Sequence, residues 1–439
     1  MKHILPKAAF YRRSVVALLT VACALPAYGG GYDTPLLAPA RYFGMGGASI
    51  AGANDAFSIL LNPAGLSQTK FIDLSVNALP ILAQNEAPVA NAGGSNPAIV
   101  ADTGLVLAPA FHVAAAFRAT DFLTFGLGVY PLASAGGGYE YNNIVGRLTE
   151  DSTTIRFFEI SPGLAFHTDE VSFGVGYRIT VAQLIRKQAN ADGTGAANLD
   201  LDLLGADFAG FRMGLQWRPI PQLELGIVYR HRVDVDATGD EGSLLTRGVR
   251  DLTMDLHLPA RLGFGAKGNI PLPEDAQLSL ALDVEYGFHS QNDLSRVQGT
   301  DNDEEVCVGT NCVPNINYNQ PTGLPSYFMW KDAWTVRVGA EVDFLKMLRI
   351  RAGYIWDERV TNPQFASAFG TPAADTHSGT FGIGYYSDSW ELNLAYAYRA
   401  GSADVPDEID SRCLTCGQPG TYTLSMHAIG LDFSYYFSN

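Results

Sequence analysis

Apolar and polar residues alternate along nearly the whole chain after residue 70, and this alternation determines the fold class. Between residues 171 and 180, Val, Phe, Val, Tyr and Ile share one face, while Ser, Gly, Gly, Arg and Thr share the other. A period of two marks β-strands with a single apolar face. Most predicted strands have ten or more residues, which suits tilted strands that cross a membrane. They cover residues 71–81, 108–118, 121–131, 153–167, 170–185, 207–218, 222–234, 256–268, 277–289, 328–343, 346–357, 377–387, 389–399 and 423–437.

The predicted connections between these strands alternate between short and long. Short ones, such as residues 119–120 and 168–169, follow the even-numbered strands. Up-and-down barrels of outer membranes have this arrangement, with short periplasmic turns and long outer loops. The polar face is too rich in Gly, Arg, Asp and Glu for a dry core, so we expect it to line a lumen. The long connections are residues 82–107, 132–152, 186–206, 235–255, 290–327, 358–376 and 400–422.

Composition excludes several other classes of protein. The 439 residues carry a net charge of −16, which argues against nucleic-acid binding because phosphates would not be neutralised. Beyond the N-terminus no run of 18 or more apolar residues exists, so a helical membrane protein is excluded. Charged residues are only 17%, whereas soluble domains have roughly 25%. We therefore predict an all-β, transmembrane, antiparallel up-and-down β-barrel of about 14 strands.

The N-terminus indicates export. Residues 1–27 have the basic and apolar regions of a cleaved secretory signal peptide. In an exported chain, two close cysteine pairs predict two local disulfides, and a zinc site built from all four cysteines is the competing interpretation. We expect no metal and no cofactor. The pairs are Cys307 with Cys312 and Cys413 with Cys416.

Residues 28–70 differ from the rest, because they are rich in Gly and Ala, poor in charge and free of strand alternation. The segment contains Asn62, Pro63, Ala64 and Gly65, and Asn-Pro favours a turn. An apolar segment before a large barrel should be buried, so we predict an N-terminal hatch that plugs the lumen. The barrel with its long outer loops then covers residues 71–439.

The residues 41–48 (Arg-Tyr-Phe-Gly-Met-Gly-Gly-Ala) and 62–66 (Asn-Pro-Ala-Gly-Leu) resemble the hatch of FadL-type outer-membrane transporters, the OMPP1/FadL/TodX family. The strands at 334–341 and 348–354 are similar to that family's C-terminal third. The resemblance implies a monomer that takes up hydrophobic compounds, either long-chain fatty acids or hydrocarbons. It also implies a first binding groove between outer loops, an inner pocket, and lateral exit at a kinked third strand, where Gly126 and Gly128 are the candidates for the kink.

Two further sets of residues are candidates for the transport pathway. A fatty carboxylate needs a basic partner in the lumen. Strand parity turns six arginines inward, namely Arg178, Arg212, Arg261, Arg337, Arg349 and Arg351, and four of them are the candidates. Salt bridges between these arginines and lumen acids are the competing interpretation. The candidate arginines are Arg178, Arg337, Arg349 and Arg351, and the candidates for an apolar groove in the loop at 186–206 and just beyond it are Leu199, Leu201, Leu203, Leu204 and Phe208.

No nucleophile motif of the form Gly-x-Ser-x-Gly occurs, and the histidines are scattered, so we expect a channel rather than an enzyme. The expected partners are a hydrophobic small molecule together with the lipid and lipopolysaccharide of the outer membrane. A general polar porin is the first alternative, although a hatch argues against it. A barrel of the secretion type, which serves as a shuttle or assembly protein without transport, is the second.

Overall fold

The computed structural model describes Tyr32 and residues 36–90, 98–143, 146–189, 197–308, 311–344, 346–367, 373–405, 409–410, 412 and 417–438. Twenty-one strands lie within these residues. They are β1 (Ile72–Ala90), β2 (Ile99–Asp102), β3 (Val106–Thr120), β4 (Leu123–Asn142), β5 (Leu148–His167), β6 (Val171–Ala189), β7 (Ala197–Ile220), β8 (Leu223–Arg230), β9 (Val233–Leu244), β10 (Arg247–Leu258), β11 (Arg261–Pro271), β12 (Gln277–Gly287), β13 (Leu294–Asp301), β14 (Glu305–Val308), β15 (Asn311–Pro314), β16 (Pro321–Tyr327), β17 (Ala333–Phe344), β18 (Leu348–Asp357), β19 (Thr376–Tyr386), β20 (Trp390–Val405) and β21 (Gly420–Phe437).

The strands close into one antiparallel barrel, because β1 pairs with β21 on one side and with β3 on the other. Several barrel strands are interrupted, so that β2 and β3, β8 and β9, β10 and β11, β12 and β13, and β16 and β17 each form one wall element. The hairpin β14–β15 forms a separate sheet, and without it the wall has the predicted fourteen elements. Closure leaves no open sheet edge in the bilayer, where unpaired backbone groups are costly. The all-β barrel prediction is confirmed.

The two faces of the wall are oriented as the alternation predicted. On β1, Leu74 and Val76 are exposed toward lipid, while Asp73, Ser75 and Asn77 are buried inside. The outward face carries a dense set of Phe, Leu, Tyr and Trp side chains, including Trp217 and Trp334. Aromatic side chains of this kind are favoured at membrane–water interfaces. Among the described residues, no helix is long and apolar enough to cross a bilayer.

The outer halves of the strands correct the predicted loops. Residues 132–152, predicted as one loop, belong mostly to β4 and β5, and residues 235–255 form most of β9 and β10. In the outer part of the strands the inward face is apolar and the outward face is polar. Val233, Val235 and Ala237 are buried inside, while Asp234 and Asp236 are exposed to water. Outward apolar residues therefore mark only the membrane section of each strand, because these outer segments alternate in the opposite sense.

The N-terminal segment lies inside the barrel as the predicted plug. It contains the short helices α1 (Ala40–Phe43) and α2 (Ser58–Leu61), followed by a 3₁₀ helix over Pro63–Gln68. Phe43, Phe57 and Leu66 in this segment are completely buried. We call residues 36–70 the hatch.

The outer hairpin β14–β15 places Cys307 directly opposite Cys312, and Cys312 is disulfide-bonded. Cys413, Cys416 and the predicted signal peptide lie outside the described residues.

Candidate functional site

The Asn-Pro-Ala-Gly motif fixes the hatch against the wall. The Asn62 side chain accepts a hydrogen bond from Ala64 N at 3.1 Å and donates to Ile50 O at 2.7 Å. It begins the 3₁₀ helix and ties two turns of the hatch together. Asn is favoured at such a cap because its side chain satisfies a free backbone N–H group.

The motif can lie this close to the wall only because the wall residues that face it are glycines. A Cβ at Gly214 of β7 would overlap the Asn62 side chain, and one at Gly174 of β6 would overlap the Pro63 backbone. Close backbone approach is a common reason for glycine inside a strand. The glycine-rich polar face of the sequence is thus, in part, a seat for the hatch.

Gly126 and Gly128 lie against the hatch in the same way. A Cβ at Gly126 would lie 2.7 Å from Leu66, and one at Gly128 would lie 2.7 Å from Ile59, and both neighbours belong to the hatch. The β4–β5 register is regular through both glycines and shifts only between Pro131 and Ala133. This register shift is a bulge with one extra residue, Leu132, and the kink at Gly126 and Gly128 stays a prediction.

The wall is incompletely paired beside this bulge. Among the described residues, β3 pairs with β4 only from Val113–Val129 to Thr120–Leu123, seven residue pairs, whereas β4 and β5 form nineteen. The outer half of β3 keeps its ladder with β1. We call this unpaired stretch between β3 and β4, next to Pro131, the wall gap. On the lipid side, the rings of Phe111 and Phe158 cross it with centroids 6.4 Å apart.

An apolar cavity of about 120 Å³ lies in the outer half of the barrel. Its floor is an aromatic group in which the Tyr32 ring contacts Phe157, Phe328 and Trp330 at centroid distances of 5.7, 6.2 and 4.9 Å. Burial raises the pKa of Tyr32, so the phenol adds no charge to the cavity. Its upper walls include Ile155, Leu184, Met254, Val297 and Leu324.

The predicted groove residues divide between two faces of β7. Leu199 and Leu201 line this apolar cavity, Leu203 is buried beside it, and Leu204 is half-buried. Phe208 is 62% exposed and lies near the β7 bulge, where the register against β6 shifts by one residue. The expectation that these residues lie in a loop is wrong, because they belong to a strand whose inward face is apolar. Their role in binding stays a prediction.

A second cavity of about 120 Å³ lies between the hatch and the wall, and it is basic. Four arginines but only one carboxylate, Glu285, are among its lining side chains. The two cavities are close neighbours: Arg261 pairs in register with Gly287, and His289 packs on Gly287 and on the Trp330 ring at 6.1 Å. The arginines are Arg212, Arg230, Arg261 and Arg337.

Of the four predicted arginines, only Arg337 lines this cavity, and all four contact acidic side chains. Arg337 pairs with Glu285, and the buried Arg178 pairs with Glu159 at 2.5 Å. Arg349 contacts Asp343 and Glu391, each at 3.0 Å, and Arg351 contacts Glu341 at 2.6 Å. The lumen network that sequence analysis kept as the competing interpretation is therefore present. Arg230 lies inside the predicted strand 222–234 but is not among the predicted inward arginines.

Glu159 is the centre of the most buried ion cluster. It binds Arg178 at 2.5 Å, Arg212 at 3.2 Å and the Tyr130 hydroxyl, and all four side chains are buried. Replacing Glu159 by Gln would leave two buried guanidinium groups poorly compensated. We expect Glu159→Gln to lower the free energy of unfolding by about 3–5 kcal/mol. The change is measured by urea denaturation in detergent.

The matched control is Glu150→Gln, which alters an exposed glutamate on the same strand. Equal stability of the two variants would contradict the assignment of Glu159 as the essential counter-charge.

The described residues contain no group of three or more His, Cys, Asp and Glu side chains arranged to hold a metal ion. The site consists of an apolar cavity, a basic cavity, a hatch and a wall gap. An apolar cavity next to a basic one suits a small molecule with an apolar part and an anionic group.

The comparisons with known proteins agree with this architecture. The family model described as "Outer membrane protein transport protein (OMPP1/FadL/TodX)" matches residues 40–437. The fold is similar to a FadL homologue of Pseudomonas aeruginosa (TM-score 0.68, 17% identity, 93% of this chain and 100% of that one). It is also similar to the toluene transporter TodX of P. putida (0.62, 14%, 94% and 100%) and the toluene transporter TbuX of Ralstonia pickettii (0.60, 16%, 93% and 99%). No curated protein sequence matches. The chain therefore belongs to the FadL/TodX family of outer-membrane transport proteins for hydrophobic compounds.

Proposed function

We propose that this barrel takes up amphiphilic monocarboxylates of the long-chain fatty-acid class. The observation that supports this proposal is the basic cavity directly beside the apolar one. The hydrocarbon chain would occupy the cavity floored by Tyr32 and Trp330, and the carboxylate would enter the arginine-lined cavity behind His289. Guanidinium groups bind carboxylates through paired charge-assisted hydrogen bonds.

The density of guanidinium groups supports an anionic head group. Glu159 pairs with Arg178 and Arg212, Glu285 pairs with Arg261 and Arg337, and Asp283 lies opposite Arg337 on the neighbouring strand. Four arginines line the cavity itself, and a ligand carboxylate would be a further charge-assisted acceptor for them. Neutral hydrocarbons are the second candidate, supported by the aromatic floor alone.

Entry and exit complete the proposed pathway. The molecule first meets the apolar inward face of the outer half of the barrel, then moves the hatch from its seat, and leaves through the wall gap into the membrane. The gap supports lateral exit because it lies at the bulge beside Leu132, which lines the basic cavity. This route avoids the charged saccharide of the outer leaflet, and it requires no covalent chemistry.

Binding of oleate and toluene to detergent-purified variants tests the substrate class. Arg230→Gln keeps a hydrogen-bonding side chain but removes one charge, so oleate should bind about tenfold more weakly while toluene binding is unchanged. Trp330→Ala removes part of the apolar floor, so both ligands should bind more weakly. The measurement is isothermal titration calorimetry.

Leu199→Ala trims the same apolar cavity without changing its charge, and it is the control for general damage to the cavity. If toluene binds to the wild-type protein and oleate does not, the neutral-cargo candidate replaces the proposal. If neither ligand binds, the transport proposal itself fails.

A further inference from the structure

Three aspartates of the wall hold backbone amides of the hatch. Asp432 of β21 accepts from Ala40 N at 2.8 Å and from Arg41 N at 2.7 Å. On β12, Asp283 accepts from Ser49 N at 2.6 Å and from Ile50 N at 2.9 Å, both at Oδ2. Asp73 of β1 accepts from Ala56 N at 2.8 Å. The three contacts follow one another along the first two thirds of the hatch, from Ala40 to Ala56.

These carboxylates are costly to bury, and their contacts offset that cost. All three are buried, and the hydrogen bonds they accept come from hatch amides, Ser75 and Asn77. A buried carboxylate without its donors is strongly unfavourable, and charge-assisted bonds from N–H groups are among the stronger hydrogen bonds in proteins. When the hatch leaves, each carboxylate loses its amide donors at the same moment, so the closed position is favoured electrostatically.

We propose that Asp73, Asp283 and Asp432 are the positioning residues that keep the hatch closed in the absence of cargo. The inference depends on the position of the hatch and not on the identity of the cargo. Opening must break five amide–carboxylate hydrogen bonds, and water that enters the lumen must replace them. The inference predicts that ionic leakage through the empty barrel depends on these three side chains.

Asparagine substitutions distinguish a hydrogen-bonding latch from a general effect of charge. At Asp432 both oxygens accept, so the amide group of Asp432→Asn must turn its NH₂ toward a hatch N–H or toward Asn77. At Asp283 a single oxygen accepts both hatch amides, which the oxygen of an asparagine can also do. At Asp73 the second oxygen faces the Ser75 hydroxyl, which can accept from NH₂ and donate to Ser434 instead.

Single-channel recording in planar bilayers without cargo provides the test. Asp432→Asn should raise the open probability about tenfold. Its NH₂ group replaces one acceptor oxygen, so one charge-assisted bond is lost and the NH₂ donor faces another donor. Asp283→Asn and Asp73→Asn lose the charge but keep an acceptor for every hatch amide, so they should raise the open probability less than Asp432→Asn. Replacing any of the three aspartates by Ala should open the barrel. Asp357→Asn is the control, since Asp357 is a buried aspartate that bonds Thr335 and Arg399. It should lower thermal stability and leave the channel closed.

Equal opening in the three asparagine variants would overturn the latch in favour of a general charge effect. Closed traces from all folded alanine variants would overturn it as well. If an alanine variant does not fold, the three nearly isosteric asparagine variants still decide the question. The absence of cargo in the recordings keeps this result separate from the binding experiment, so that failure of one leaves the other intact.

Discussion

Deleting residues 29–67 is expected to convert a nearly non-conducting barrel into a steadily conducting pore. The hatch fills the lumen: its residues contact β4 to β7 through Leu66, Ile59 and Asn62, and the opposite side through Met45 and Gly46. A Cβ at Gly339 would overlap Met45, and one at Gly353 would overlap the backbone of Gly46.

The barrel should survive this deletion, because its closure depends on backbone ladders such as β1–β21 and not on the hatch. Lumen residues such as Asp283 and Arg337 are polar and tolerate water. Planar-bilayer recordings measure the conductance, and the heat-dependent gel mobility of the barrel shows that it has folded. The control is a second deletion, of residues 303–318, which include the outer hairpin β14–β15. It should leave the conductance low. A closed trace from the folded deletion variant would contradict the plug.

Sequence alternation predicted the wall elements well, because each face of a membrane strand meets one solvent along its whole length. The same rule explains where the prediction stopped. At Val233–Ala237 the outside is water and the inside is apolar, so the pattern of the membrane section is reversed. The apolar cavity is built from this reversed section, and sequence analysis therefore placed Leu199, Leu201 and Leu203 in a loop.

The candidate site could be predicted only in part, because it depends on register and on contacts across the lumen. The single extra residue at Leu132 sets the position of the wall gap, and no local pattern distinguishes it from regular strand. Which of the inward arginines line the basic cavity depends on which strands face the same turn of the hatch. Arg337 meets Glu285 on the neighbouring β12, while Arg349 and Arg351 meet Glu391 two elements away.

The second large effect concerns the wall gap. Along the outer half of β3, which has no partner on β4 among the described residues, the inward side chains Ala108 and Ala110 are small and buried. Replacing Ala110 by Phe places a ring at the inner side of the gap, opposite the Phe111 ring on the lipid side. Uptake of labelled oleate by cells that depend on this protein should then fall to near the level of cells that lack it. Binding measured on the purified protein should remain.

This combination of lost uptake and retained binding is the decisive result, because damage to the cavity would lower both. The overpacked ring should cost about 1–3 kcal/mol of stability, which a 14-element barrel can tolerate because β3 keeps its ladder with β1. Ala352→Phe makes the same change on the lipid face of β18, away from the gap, and should transport normally. Normal uptake by Ala110→Phe would instead mean that cargo passes the hatch and leaves along the barrel axis. The bulge at Leu132 would then be a structural feature of the hatch seat, with no role in exit.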